Sequence, residues 1–266
     1  MARPDDAKTT LRFIGVHSCV PAPGGETACL LLNETVLVDA GWNAALHMRR
    51  FGCDPMALTH VFVTHCHHDH YLGIGPLVYY RAMTGRGGLA PDPLVVAGPH
   101  IDIQTVVDRA LAYLQTDRWP EVACPLEVVR LRPGEDFATD RLRVKTAQVV
   151  HPVLAMAYRF EDKQTGATVV VSGDTAFYEP LARFAEGADV LVHEASMGAR
   201  SVDPLAPWGH AGAQDAARIA EAAGVKRLYL IHCDEGRREE ALASARAVFP
   251  QTHAAEEGQT VELPLL

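Results

Sequence analysis

No stretch of the chain approaches the ~20 consecutive apolar residues that a membrane-spanning helix needs, so a membrane role is not expected. The opening MARPDDAKTT has no apolar segment of the secretory-signal kind, and a cytoplasmic protein is the expectation. Cysteines are few and scattered. Cys19, Cys29, Cys53, Cys66, Cys124 and Cys233 form no CxxC pair and no framework spacing, which reads as reduced thiols rather than a disulfide scaffold. Positive charge is in deficit: Lys and Arg number 24 against 33 Asp and Glu, leaving a formal net charge of −9. That balance excludes a bulk polycation coating nucleic acid or anionic membrane, while local basic patches stay open. Low-complexity segments and long linkers are also absent. With 48% apolar and 21% charged residues over 266 positions, the chain reads as one globular domain spanning 1–266.

The chain is rich in histidine. It holds 13, and His65, His67, His68 and His70 fall almost together. Around them the pattern is β-rich first and alternating later. Strands are expected at Leu11–Gly15, Cys29–Leu32, Thr35–Asp39, His60–Thr64, Leu126–Val129, Leu142–Val150, Ala155–Phe160, Thr168–Val171, Asp189–His193 and Arg227–Ile231. Gly166 marks a hairpin between Ala155–Phe160 and Thr168–Val171. Helical patterns cover Ala44–Phe51, Leu77–Met83, Ile103–Leu114, Tyr178–Ala185, Ala213–Ala223 and Glu239–Val248. Gly52 and Gly224 stand where helix C-termini favour glycine. Strands followed by helices in each half suit two mixed sheets packed together with helices outside, an α+β class.

The segment Thr64-His65-Cys66-His67-His68-Asp69-His70 carries the pattern H-x-H-x-D-H as the chain leaves an apolar strand. Alternation lets His65 and His67 converge, and Asp69 and His70 on the following turn face a neighbouring position. Imidazole nitrogens plus a carboxylate suit Zn²⁺, with Fe and Mn less preferred. His151, Asp174 and His232 each follow an apolar strand, where side chains from several strands meet in one cleft. Together with the cluster they supply ligands for two metals. His68 is expected to face away, and His17, His47, His60, His100 and His253 match no motif. His193 is left without a role, and Cys66 and Cys233 read as inert buried thiols.

From Leu11 to His232 the chain resembles the metallo-β-lactamase-fold hydrolases, whose T-H-x-H-x-D-H signature is met by residues 64–70. Leu37-Val38-Asp39-Ala40-Gly41, His193-Glu194-Ala195 and Gly209-His210, read as opening a helix, are similar to the ribonuclease Z, arylsulfatase and phosphodiesterase branch. The resemblance implies an αββα sandwich with two mixed β-sheets face to face. It implies one metal on His65, His67 and His151, another on Asp69, His70 and His232, and Asp174 with a hydroxide bridging them. Zinc is the expected metal. It further implies that Asp69 orients or deprotonates the attacking water, that His210 donates a proton, and that Glu194 orients His210. Asp39 is expected to support a ligand rather than be one. Many relatives are dimers, so a homodimer is implied by kinship alone.

The chain also departs from that branch. Bacterial ribonuclease Z proteins carry a tRNA-gripping arm between the motifs matching His151 and Asp174, whereas here only Pro152–Gly173 intervenes. The glycine-rich opening is altered to Gly15-Val16-His17-Ser18-Cys19-Val20-Pro21. These differences and the net charge disfavour tRNA. The expected function is hydrolysis of phosphodiester-type bonds in a small or nucleotide-like ester substrate. The alternatives are a ribonuclease Z-type tRNA 3′ endonuclease, or an arylsulfatase, lactonase or thioesterase at the same metals. An iron redox enzyme is disfavoured by His67, where di-iron reductases carry a carboxylate, and a non-catalytic module by the complete ligand set. The insertion Tyr71–Pro125 offers Tyr79, Tyr80, Arg81 and Arg86, with Gly85, Gly87 and Gly88, as substrate contacts or as ordinary core and surface. Trp119 and Trp208 are candidate pocket walls, Trp208 the better placed beside His210.

Overall fold

Strand Leu142–Gln148 turns Leu142, Val144 and Thr146 inward and Arg143 and Lys145 outward, as a strand with one covered face does. Thr168–Val171 and Val190–Glu194 are buried throughout, which requires cover on both faces. The computed structural model describes residues 7–85 and 92–264 and shows where that cover comes from. Strands β1 (Thr9–Gly15), β2 (Cys29–Leu32), β3 (Val36–Val38), β4 (His60–Phe62), β5 (Leu94–Pro99) and β6 (Leu126–Leu131) lie in one sheet. Its far edge is β14 (Thr260–Leu263), giving the order β14-β1-β2-β3-β4-β5-β6. The second sheet runs β13-β12-β11-β10-β9-β8-β7. Its members are β7 (Asp136–Ala138), β8 (Leu142–Gln148), β9 (Met156–Asp162), β10 (Thr168–Val171), β11 (Val190–Glu194), β12 (Arg227–Ile231) and β13 (Thr252–Ala254). Both sheets mix parallel and antiparallel pairs: β3 to β6 run parallel, as do β10 to β13.

Three apolar clusters fill the layers. Phe13, Phe62, Tyr158, Phe160 and Tyr229 anchor the one between the sheets. Outside the first sheet, α1 (Ala44–Arg50), α3 (Ile74–Gly85) and α4 (Ile103–Tyr113) bury Met48, Leu77 and Val107 against Leu31 and Val61. Outside the second, α5 (Pro180–Phe184), α6 (Ala213–Ala223) and α7 (Arg238–Arg246) bury Leu181, Ile219 and Ala245 with Leu191 and Leu228. The result is the αββα sandwich, two mixed sheets face to face with helices outside. No helix among the described residues is long and apolar enough to cross a membrane.

Sequence reading overlooked four strands and one α-helix among the described residues. The run Leu94–Pro99 was given no element, yet its apolar continuity is what a parallel strand inside a sheet needs. The edge strands β7, β13 and β14 are three or four residues long and too short for periodicity to register. The single-turn helix α2 (His68–Tyr71) carries the second half of the histidine motif.

One buried carboxylate ties the sheets at an edge. Asp162, at the end of β9, accepts from Thr9 Oγ1 at 2.7 Å, Asn33 Nδ2 at 2.9 Å, Arg141 Nε at 2.7 Å and Gln164 N at 2.9 Å. Burial alone would raise this carboxyl, but those donors hold it below its ordinary value. Asp162→Ala is expected to cost about 2–4 kcal/mol in denaturant unfolding, the scale for stripping a buried charged hydrogen-bond network. Because the folded-state pKa is the lower one, the contribution is complete above the unfolded value of about 4 and is lost as pH falls through the folded one. The stability gap between the variant and the parent should therefore narrow below pH about 4 and stay constant above pH about 5.

Candidate metal centre

The C-terminal ends of β4, β8, β10, β11 and β12 reach one edge of the sandwich, and each releases a polar side chain there. Two contacts hold the sheets in register at that edge: Met156 N donates to the Thr64 carbonyl at 2.9 Å, and Tyr158 Oη donates to the Val63 carbonyl at 2.8 Å. Gly173 lies beside them at φ +62°, where a Cβ would stand 2.9 Å from Thr64 Cβ. Only glycine fits there, so the turn that delivers Asp174 lies flush against the histidine motif. His232 follows β12 directly at φ +57°, an uncommon conformation for a side-chain-bearing residue, with its amide donating to the Val16 carbonyl at 2.7 Å.

Four overlapping groups of ligand-type atoms result, each with all members within 4.8 Å of one another; two of them hold the expected ligands, and the other two join His210 to His151 and Asp174 and to Glu194 and His232. The first is His65, His67 and His151, with His151 Nε2 at 2.9 Å from His67 Nδ1. The second is Asp69, His70, Asp174 and His232. Asp174 Oδ2 lies between them, 3.8 Å from His65 Nε2 and 3.5 Å from both His70 Nε2 and His232 Nε2. Asp69 Oδ2 lies 3.1 Å from His232 Nε2 and 3.4 Å from His70 Nε2. The structure thus gathers every proposed ligand into one cluster. His68 instead is exposed and lies beside Tyr71, the two rings tilted with centroids 5.7 Å apart.

The remote nitrogens of four of these imidazoles are fixed. His70 Nδ1 donates to Asp39 Oδ2 at 2.8 Å. Thr64 Oγ1 donates to the same oxygen at 2.9 Å and takes His65 Nδ1 at 3.1 Å. His151 Nδ1 donates to the Gly209 carbonyl at 2.9 Å, and His232 Nδ1 lies 2.7 Å from Ser196 Oγ. Each near nitrogen is therefore left to present a lone pair inward. Nε2 of His65 and of His70 are buried with no hydrogen-bond partner, a costly arrangement that a cation would relieve. With imidazole and carboxylate donors converging, the residues fit divalent metal ions.

Electrostatics divide the imidazoles: burial opposes protonation of His70 and His232, yet the charge of Asp174 raises both, His70 well above its ordinary value. Burial alone would raise the Asp174 carboxyl, but His232, His70 and His65 hold it well below the ordinary range. Burial, and then the neighbouring His70, push His65 well down, towards the neutral form a ligand needs. His210 lies on the loop before α6, outside the helix it was expected to open. Its Nδ1 donates to Glu194 Oε1 at 2.8 Å. Burial opposes its protonation, yet that hydrogen bond and the charges of Glu194 and Asp174 raise it to about 8.

Other candidates fall outside the cluster. Arg81, read as a substrate contact or a solvated charge, is neither: it is buried and donates to the carbonyls of Pro55, Met56 and Asp92. Tyr80 packs on the core under α3, whereas Tyr79 is exposed. Arg86, Gly87 and Gly88 lie outside the described residues. Trp119 carries the Arg118 guanidinium over its ring, and Trp208 is exposed two residues before His210. Burial pushes the thiols of Cys66 and Cys233 up to about 12 and about 11, and neither belongs to a ligand group among the described residues. Sequence reading missed Thr64 and Ser196 as partners of ligands. Their signal was a hydroxyl residue beside His65, or two positions after Glu194, which is too common to single out.

Residues 34–233 match the family model of the beta-lactamase superfamily domain. A ribonuclease Z of Methanothermobacter thermautotrophicus is 30% identical, the match covering 94% of this chain and 95% of that protein. That alignment runs over 305 positions, more than the 266 residues here, so the archaeal protein carries segments with no counterpart in this chain. Among solved structures, the metallo-beta-lactamase fold protein YhfI from Bacillus subtilis superimposes with a TM-score of 0.81 at 26% identity, covering 96% of this chain and all of that one. The short form of human tRNase Z gives 0.78 at 20% identity, with 96% and 100% covered, a likeness of fold.

Asp39 takes no place in either ligand group, yet holds His70 and, through Thr64, His65. Asp39→Ala is expected to weaken divalent-metal binding about 10–100-fold, as loss of a ligand-orienting carboxylate does. Competition with a chromophoric chelator measures this, and unchanged affinity would show that the two imidazoles hold their orientation without it.

Proposed function

The chain belongs to the beta-lactamase superfamily, and within it we propose a single-domain, dinuclear metal-dependent hydrolase that cleaves phosphodiester-type bonds in a small or nucleotide-like substrate. The observation that carries this reading is Asp174 Oδ2 lying within 3.8 Å of ligand nitrogens from both groups. His65, His67 and His151 would hold one cation, Asp69, His70 and His232 the other, and Asp174 would serve both. Zinc suits the donor set. Two divalent cations supply an activated water at neutral pH and stabilise charge on the attacking and leaving oxygens.

The chain's own groups do the rest. Asp69 accepts a hydrogen bond from, and so orients, the attacking water. Glu194 is fully buried and fixes His210 through Nδ1, which leaves Nε2 as the nitrogen that exchanges a proton with the leaving group. The small-substrate reading is supported by the segment between His151 and Asp174, which holds only β9, its Gly166 turn and β10. The name of the archaeal relative favours a second reading, endonucleolytic cleavage of RNA.

Zinc-loaded protein is expected to hydrolyse bis(p-nitrophenyl) phosphate, and Asp174→Ala to lose that turnover together with one or both metals by elemental analysis. Retention of two metals by the variant would remove Asp174 from its shared position. No turnover by metal-replete parent protein would overturn the phosphodiester reading and move the test to aryl sulfates, lactones and thioesters. Cleavage of a precursor tRNA in preference to the small diester would support the second reading instead. His210→Ala should keep its metals and lose about 10²–10⁴-fold in turnover, the usual share of a proton-transferring group.

A further inference from the structure

Ser196 stands between two groups that the proposed mechanism keeps apart. Its hydroxyl is 2.6 Å from Glu194 Oε2 and 2.7 Å from His232 Nδ1. The other oxygen of Glu194 accepts from His210 Nδ1 at 2.8 Å and from Thr175 N at 2.9 Å. Ser196 N donates to Glu194 Oε2 at 3.0 Å, so the backbone holds the serine in place independently of its hydroxyl. Glu194, Thr175 and His232 are buried and Ser196 and His210 half-buried, so the bonds lie in a partly shielded, low-dielectric setting.

A hydroxyl has one proton, and that decides the direction of the chain. For His232 to give a lone pair from Nε2, its proton must sit on Nδ1 and needs an acceptor. Ser196 Oγ is that acceptor, so the serine proton points at Glu194 Oε2. The carboxylate is then an acceptor at both ends and takes the Nδ1 proton of His210. Thr64 does the same between Asp39 and His65, where Asp39 also takes His70 Nδ1 directly. The site thus holds two copies of one device: a carboxylate bonded to one imidazole directly and to a second through a hydroxyl.

We propose that Ser196 is a positioning residue that fixes which nitrogen of His232 carries the proton and, through Glu194, ties the orientation of His210 to that choice. This rests on His232 being a metal ligand. Removing the hydroxyl leaves His232 Nδ1 buried without an acceptor and frees its ring to flip or change tautomer, while Glu194 loses a donor that held it against His210.

The test compares Ser196→Ala, Ser196→Thr and His232→Ala with the parent protein by chelator competition for zinc and by ¹H–¹⁵N spectra of the imidazoles. Ser196→Ala is expected to keep its fold by circular dichroism and to bind zinc about 10–100-fold more weakly. The Nδ1–H signals of both His232 and His210 should shift or broaden in Ser196→Ala, already in the metal-free protein, and Ser196→Thr should restore affinity and signals. A merely structural serine would not move the His210 signal. Loss of affinity in His232→Ala with parent-like affinity and spectra in Ser196→Ala overturns the proposal alone. Full affinity in His232→Ala overturns the ligand assignment and the proposal with it.

Discussion

An imidazole lends one nitrogen to a cation most firmly when the proton on the other has a fixed acceptor, and four imidazoles at the edge of this sandwich are held in that way. His65, His70, His151 and His232 are each held differently: through a threonine hydroxyl, a carboxylate, a main-chain carbonyl and a serine hydroxyl. The unusual backbone nearby serves the same end. Asp39 sits at φ +58° with its amide on the Phe62 carbonyl, which turns its carboxylate across the end of β4 to reach His70 and Thr64. Gly209, at φ +61°, passes so close that a Cβ would stand 2.9 Å from His151 Cα, and its carbonyl meets the ring. Sandwich packing places the strand ends together, and these local devices turn proximity into aimed lone pairs.

Most of the architecture could be read from the chain because the buried strands advertise themselves. Cys29–Leu32, Thr168–Val171, Ala213–Ala223 and Arg227–Ile231 run in the structure as their patterns indicate. The residues gathered at this edge were legible for a different reason: the T-H-x-H-x-D-H signature and a lone histidine or aspartate just past a strand stand out. What could not be read was the layer behind the ligands. Thr64 and Ser196 are ordinary residues whose importance comes entirely from where a carboxylate on another strand lies, and a carbonyl such as that of Gly209 leaves no trace in sequence. Arg81 failed in the opposite direction. An arginine in such an insertion suggests an exposed charge or a substrate contact, whereas this one is buried and donates to the carbonyls of Pro55, Met56 and Asp92 beside α3.

The first sheet also depends on a distant pairing. Strand β1 lies between β2 and β14, Thr9 opposite Leu263 and Arg12 opposite Thr260. Just before β14, Glu257 Oε1 accepts from the amide of Glu26, and the buried Glu26 carboxylate in turn gathers the amides of Thr27, Trp42 and Asn43. Thr27 then donates through Oγ1 to the carbonyl of Asp69. An unbroken path of bonds therefore runs from the last strand to the middle of the histidine motif. Loop closure over such a separation is slow compared with helix and hairpin formation, and a ribosome delivers residues at only about 5–20 per second. The consequence is one of timing: the nascent chain exposes its histidines long before the strand that steadies them exists, so this path of bonds to the motif closes only after synthesis has passed Glu257.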